Sequence, residues 1–232
     1  MAFNLQPVSE LARLRGVKIL VHGPPGCGKT MLCTTASKEQ SKIAMISAEG
    51  GLLSIRNSKI VGSEIRTFKE FEEAYSFFAY NQGAIDWFDV VCLDSISEIA
   101  EICLAAELKS AKDPRQAYGE LSTKMKAMIR AFKDLPYHVV FTAMQEKEST
   151  DDGTKFFPAL PGKQLSGNVN WISHQFDEVF AYRLVADPNT KESRRLLQTQ
   201  PDASFDAKDR SGSLEFWEEP NLDAIINKIV SQ

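Results

Sequence analysis

The chain has 232 residues with a net charge of −4, and 43% of it is apolar and 25% charged. That length can bury a sizeable core in one domain, and that composition excludes global disorder. The acidic balance excludes a wholesale polyanion binder, so any nucleic-acid contact has to come from a local patch.

In chain order, the opening "MAFNLQPVSELARLRG" lacks a secretory apolar core. No apolar stretch reaches the roughly 18–20 residues that cross a bilayer. A cytoplasmic protein without a membrane partner is expected. Val17, Ile19, Leu20 and Val21 form a short, partly β-branched run, the mark of a buried strand. "GPPGCGKT" follows directly, from Gly23 to Thr30. Its spacing, G-x-x-x-x-G-K-S/T, is that of a phosphate-cradling P-loop. A Pro-free stretch from Lys29 to about Glu39 then predicts a helix. Strand, glycine turn and helix occur in the order this loop needs.

A triphosphate concentrates negative charge that must be approached closely by backbone. Gly23, Gly26 and Gly28 let the chain turn where a β-carbon would obstruct, so that N–H groups of Pro24–Met31 point inward, Pro24 and Pro25 excepted. The binding set expected from the sequence is therefore Gly23, Pro24, Pro25, Gly26, Cys27, Gly28, Lys29, Thr30 and Met31. Lys29 reaches the β- and γ-phosphates of ATP, and the Thr30 hydroxyl ligates Mg²⁺.

Further along, "KIAMIS" predicts a second strand over 42–47. "TFKEFEEAYSFFAY" opens with a capping box, Thr67 with Glu70, and spaces Phe68, Phe71, Ala74, Tyr75 and Phe78 as one helical face. "FDVVCLD" predicts a third strand ending on Asp94. Helices follow near 97–110 and 114–135, the second capped by Asp113 with Pro114 in its first turn. Its core positions are Tyr118, Leu121, Met125, Met128, Ile129 and Phe132. "YHVVFTA" predicts a fourth strand over 137–143, and 146–168 reads as a long turn-rich stretch. Short strands over 178–185 and 194–199 and a closing helix over 222–230 complete the chain. The alternation implies an α/β fold, a mostly parallel sheet flanked by helices, with ligands at the carboxyl ends of the strands.

Asp94 has the position of a Walker B acid, where it holds Mg²⁺ alongside Thr30. Glu49, just past the second strand in "ISAEGG", is placed either to align an attacking water or to sit in a solvated loop. Cys27, Cys33, Cys92 and Cys103 contain no C-x-x-C pair and are expected to be reduced and mostly buried. His22, His138 and His174 lack a second ligand at metal-site spacing.

Four segments in one order, "GPPGCGKT", "ISAEGG", "VVCLDS" and "VVFTAMQEK", resemble the core of RecA-like recombinase and helicase ATPases. More closely, the chain resembles the shortened RecA-like ATPases of bacteriophages, some of which act in single-strand annealing and recombination. The resemblance implies a RecA-like ATPase domain over 17–232, with 1–16 as a candidate oligomerisation arm. It makes Glu49 the catalytic glutamate and Gln145 the γ-phosphate sensor. It matches Lys208 and Arg210 in "FDAKDRSG" to a Lys-x-Arg pair that reaches a neighbouring subunit's nucleotide, in a segment where no intrachain anion is evident. It implies a ring or filament of identical subunits acting on single-stranded DNA, with single-stranded-DNA-binding or recombination proteins as partners.

The same resemblance puts a DNA-binding loop at 146–170. There Lys147, Lys155 and Lys163 face phosphates and Phe156, Phe157 and Trp171 stack on bases, unless the aromatics anchor the loop to the core. Arg13, Arg15 and Lys18 are either a second basic contact or a solvated face. Two other functions fit a P-loop: a kinase acting on a small molecule, and a nucleotide-gated assembly protein without DNA.

Overall fold

The computed structural model describes residues 15–150, 153–165, 171–186 and 192–231, together with 5, 7 and 10. The expected arm at 1–16, and Arg13 with it, falls almost wholly outside the described residues, as does 166–170 of the expected loop.

The elements form one sheet of ten strands, counting the described residues, with the order β10-β8-β7-β1-β5-β4-β2-β3 along its main path. The parallel strands are β1 (Lys18–His22), β2 (Ile43–Ser47), β3 (Val61–Glu64), β4 (Val90–Asp94), β5 (His138–Thr150) and β7 (Glu178–Ala186). Antiparallel additions are β6 (Gly153–Ala159) on β5, β8 (Ser193–Gln198) and β9 (Lys208–Asp209) on β7, and β10 (Trp217–Glu218) on β8. This is the P-loop NTPase arrangement expected from the alternation of elements.

Period-two alternation divides β1 between two cores. Leu20 packs on one face of the sheet, and Ile19 and Val21 on the other. The first face is covered by α2 (Phe68–Tyr80), α4 (Ile96–Ser110) and α5 (Pro114–Lys133). Phe132 is its pivot, stacked on Phe71 at 5.0 Å and edge-on to Phe141 at 6.3 Å. The second face is covered by α1 (Lys29–Cys33) and α7 (Leu222–Val230). Single-turn helices α3 (Ala84–Trp87) and α6 (Trp171–His174) connect strands. The Thr67–Glu70 capping box is present, and such a cap contributes about 1 kcal/mol. Tyr118 departs from its expected core position: it is exposed on α5.

Three expectations are corrected. The helix after the P-loop ends at Cys33 instead of continuing toward residue 39. Thr34 and Thr35 turn their hydroxyls back onto the carbonyls of Met31 (2.8 Å) and Leu32 (2.7 Å), which competes with further helix. Thr35 also accepts from the Leu222 N–H at 3.0 Å, and that bond docks α7 against the shortened end. Up to Ala159 the stretch after the fourth strand is a β-hairpin rather than a turn-rich loop, and the turns expected there are found at 161–165. β5 runs on to Thr150 and pairs with β6, Gln145 opposite Pro158 and Glu148 opposite Lys155. Its largely exposed, charged residues hid the strand period from a search for apolar alternation. Lys18, expected at a basic surface, is buried inside β1. Its Nζ donates to the carbonyls of Arg15, Leu135 (2.8 Å) and Tyr137 (2.5 Å), and burial lowers its pKa to about 8. Arg15 itself is exposed.

The four cysteines are free, and Cys33, Cys92 and Cys103 are buried. Among the described residues no helix is long and apolar enough to cross a membrane.

Where β7 begins, Glu178 lies between Ile19 of β1 and Asp209 of β9, with no exposed surface. Burial, with the Asp209 charge beside it, raises its pKa to about 8. A carboxyl whose folded pKa lies above its unfolded value contributes stability at low pH and loses it as pH rises through the folded value. Thermal unfolding from pH 4.5 to 9 should therefore show wild type losing stability across that range. Glu178→Gln should have a flatter profile and a higher Tm at pH 8; parallel profiles for the two proteins would refute the assignment.

Candidate active site

Strand register assembles the site. Ser47 of β2 pairs with Asp94 of β4, Leu93 of β4 with Phe141 of β5, and Val21 of β1 with Thr142 of β5. Asp94, Thr142 and the mouth of the P-loop therefore lie level at the carboxyl edge of the sheet.

The loop itself requires glycine at two places. A Cβ on Gly23 would stand 2.8 Å from the Cys27 Sγ and 2.9 Å from the Tyr182 carbonyl oxygen. Gly28, at φ 106°, takes a left-handed conformation at the start of α1, costly for a residue with a side chain. Lys29 is buried, and its Nζ donates to the carbonyls of Gly23 (2.9 Å) and Pro24 (3.2 Å). An ammonium has three donors, so one remains for a phosphate oxygen within the loop. Pro24 and Pro25 are exposed at the rim, Cys27 is half-buried, and Met31 turns outward on α1 with 48% of its surface exposed. Of the expected binding set, Met31 can contribute only its backbone.

Thr30 donates its hydroxyl to the Asp94 Oδ2 at 2.6 Å. Thr142 donates to the Asp94 Oδ1 at 2.5 Å. Asp94 is wholly buried, with both oxygens held by hydroxyls and no ion pair among the described residues. A buried carboxylate held this way suits a divalent cation, which would meet its charge at short range. The neighbouring Ser47 Oγ is buried without a hydrogen-bond partner. Thr30 and Asp94 therefore fit a Mg²⁺ site; bound there, the ion would neutralise charge on the β- and γ-phosphates.

The peptide bond from Asp94 to Ser95 is cis. Ser95 caps α4, accepting from the Glu98 N–H at 3.3 Å, and donates its hydroxyl to the Glu49 Oε1. A Cβ on Gly51, two residues beyond Glu49, would lie 3.7 Å from the Thr30 Oγ1. The loop carrying Glu49 thus lies against the P-loop threonine, and the Glu49 carboxylate is held but exposed. A general base needs that combination: a fixed direction and access to water.

Sequence patterns do not single out Ser95, Thr142 or Tyr182. A legible signal existed for Thr142, a hydroxyl inside the apolar run "YHVVFTA". Gln145 sits half-buried on β5, where the strand leaves β1 and β4 and enters the hairpin.

Lys208 and Arg210 are not brought to this edge. Lys208 pairs with Val179 and Asp209 with Glu178, at the start of β7, whereas Tyr182 lies at its middle. Four strand residues separate the two levels, roughly 13 Å. The expectation that this segment lacks an intrachain anion is corrected. Arg210 holds Asp177 at 2.8 Å, and the Lys208 Nζ donates to the Phe176 and Ser173 carbonyls. His22, at the end of β1, is buried with Nε2 2.7 Å from the Asp206 carbonyl oxygen. Burial lowers its pKa to about 4, which keeps a second positive charge away from Lys29.

A family described as an AAA domain matches residues 15–211. The chain belongs to that family. No curated protein matches it. Membership in the AAA-domain family makes this an ATPase-type domain that binds nucleotide, typically with Mg²⁺. The matched segment ends just past Arg210, so β10 and α7 lie beyond it.

Two substitutions separate binding from chemistry. Lys29→Ala should abolish ATP binding measured with a fluorescent ATP analogue, since the phosphates lose their cationic partner. Glu49→Gln should keep that affinity and cut phosphate release by about 10²–10⁴-fold. Wild-type turnover in Glu49→Gln would return Glu49 to a solvated loop residue.

Proposed function

We propose that the protein is an ATP hydrolase whose turnover is coupled to single-stranded DNA in recombination, annealing or repair. The observation that carries the hydrolase part is the hydroxyl–carboxylate pair of Thr30 and Asp94 beside a Glu49 held by Ser95. In this reading Lys29 and the loop N–H groups hold the phosphates, and Glu49 directs or deprotonates the attacking water. Gln145 links the nucleotide to the β5–β6 hairpin as the γ-phosphate sensor. The RecA-like resemblance, including that to phage ATPases, supports the DNA part.

The aromatics expected to stack on bases do not support that part. Phe156 stacks on Phe205 at 4.7 Å, Phe157 is buried, and Trp171 lies under Lys126 (5.3 Å) and Arg130 (5.7 Å). All three are engaged within the chain. Lys155 faces Glu148 across the hairpin, which lowers its local positive charge. A better surface for a nucleic acid is a cleft of about 500 Å³ between α5 and the turn after β6. Arg115, Tyr118, Lys163 and Gln164 line it, with the two cations and the tyrosine exposed. Cations for phosphate and an exposed ring for a base are the elements of single-strand recognition.

Action as a ring or filament remains part of the proposal. Lys208 and Arg210 lie too far from their own P-loop to serve it, so any role for them in hydrolysis is toward a neighbouring subunit. Single-stranded-DNA-binding or recombination proteins would then act as loading partners.

The test is the ATPase rate with and without single-stranded DNA. Wild type should be stimulated. Arg115→Glu with Lys163→Glu should keep the basal rate and lose the stimulation. The log–log salt dependence of DNA binding should flatten by about 0.7 for each phosphate no longer neutralised. A rate indifferent to DNA would favour a nucleotide-gated assembly protein, and turnover that requires a small acceptor would favour a kinase.

A further inference from the structure

Three arginines lie on the β7–β8 hairpin, and two are committed elsewhere. Arg183 bonds to the Gln198 side chain, sits 3.8 Å from Asp202, and covers the Phe205 ring at 3.8 Å. Arg194 pairs with Glu219 at 3.3 Å. Arg195 is exposed and makes no ion pair among the described residues.

Its position follows from register. Tyr182 pairs with Leu197 and Leu184 with Arg195, so these four share one face of the antiparallel pair. Tyr182 and Arg195 are diagonal neighbours on that face, within reach for an aromatic and a long side chain. β7 lies directly beside β1, which carries this face up to the P-loop. A Cβ on Gly28 would meet the Tyr182 ring and hydroxyl at 3.7 Å and the Arg195 Nε at 3.9 Å. Arg195 therefore reaches the residue just before Lys29. Both cations also act on the Cys27 thiol, where their charges oppose the upward push of burial.

We propose that Arg195 binds the phosphates of the nucleotide held in its own chain's P-loop, with Tyr182 positioning its guanidinium. The proposal rests on the ATP-binding reading above. A guanidinium offers a planar fork of donors matched to phosphate oxygens. It supplements Lys29, which spends two of its three donors on loop carbonyls. The site then carries a cationic residue in cis, whatever a neighbouring subunit adds.

Arg195→Ala and Arg195→Lys, each checked for folding by circular dichroism, would be titrated with fluorescent ATP and ADP analogues beside wild type. The alanine variant should bind both about ten- to a hundredfold more weakly, the span of a charged hydrogen bond, and the lysine variant should fall between. Mixing Arg195→Ala with Lys29→Ala should give no more turnover than the two alone, because each chain needs both residues. Restored turnover in the mixture would assign Arg195 to a neighbour's site and overturn the assignment in cis. Wild-type affinity in Arg195→Ala would overturn the inference while leaving the ATPase reading standing. Wild type that binds no ATP would overturn both.

Discussion

The site depends on one buried carboxylate. Asp94 stands at the end of a wholly apolar strand with no accessible surface, which would be costly for an unpartnered charge. Hydroxyls from two other elements, Thr30 on α1 and Thr142 on β5, hold its two oxygens. Those bonds tie the P-loop helix to the Walker B strand and to the strand between β4 and β1. The same carboxylate suits a divalent cation, so under the proposed function the contact that fixes the loop would also prepare a metal site. Fold and chemistry meet there.

Around that point the sheet acts as a ruler. Parallel pairing with matched register brings Ser47, Asp94, Thr142 and His22 to one edge from four strands far apart in the chain. Two packed faces stiffen it, one built on Phe71, Phe132 and Phe141 and the other on Leu32, Ile225 and Phe180. Chemistry is then confined to short loops on a rigid support.

The charged residues divide by edge. Lys29, Arg195 and Glu49 gather at the carboxyl edge, exposed or with donor capacity to spare. At the opposite edge Lys18 and Glu178 are buried, Asp177, Lys208 and Asp209 are half-buried and Arg210 is exposed, and most of them hold backbone groups or each other. Carbonyls satisfy Lys18 and Lys208, a carboxylate satisfies Arg210, and hydrogen bonds from Ser211, Gly212 and Leu214 hold Asp209 below the usual carboxylate range despite its burial. That edge fastens β9 to β7 and, through Asp177, to β1.

By itself the sequence determined the P-loop, the parallel α/β fold, the order of its main strands and helices, and the roles open to Lys29, Thr30 and Asp94. These are local signals: glycine spacing, buried β-branched runs, and caps such as Thr67–Glu70, each readable within a dozen residues. The hairpin of β5 and β6 escaped because solvated strands need no apolar period. Edge strand β3 and the two-residue β9 and β10 are too short or too exposed to leave a pattern. Only the tertiary structure decided which side chains meet. Arg195 and Arg210 look alike in the sequence, both cations near glycine or small polar residues late in the chain. Register places one over Gly28 and the other against Asp177, the first on β8 and the second just past β9, two strands that pair with β7 at different levels. Pairing between strands sets that difference, and no stretch of sequence around either arginine contains it.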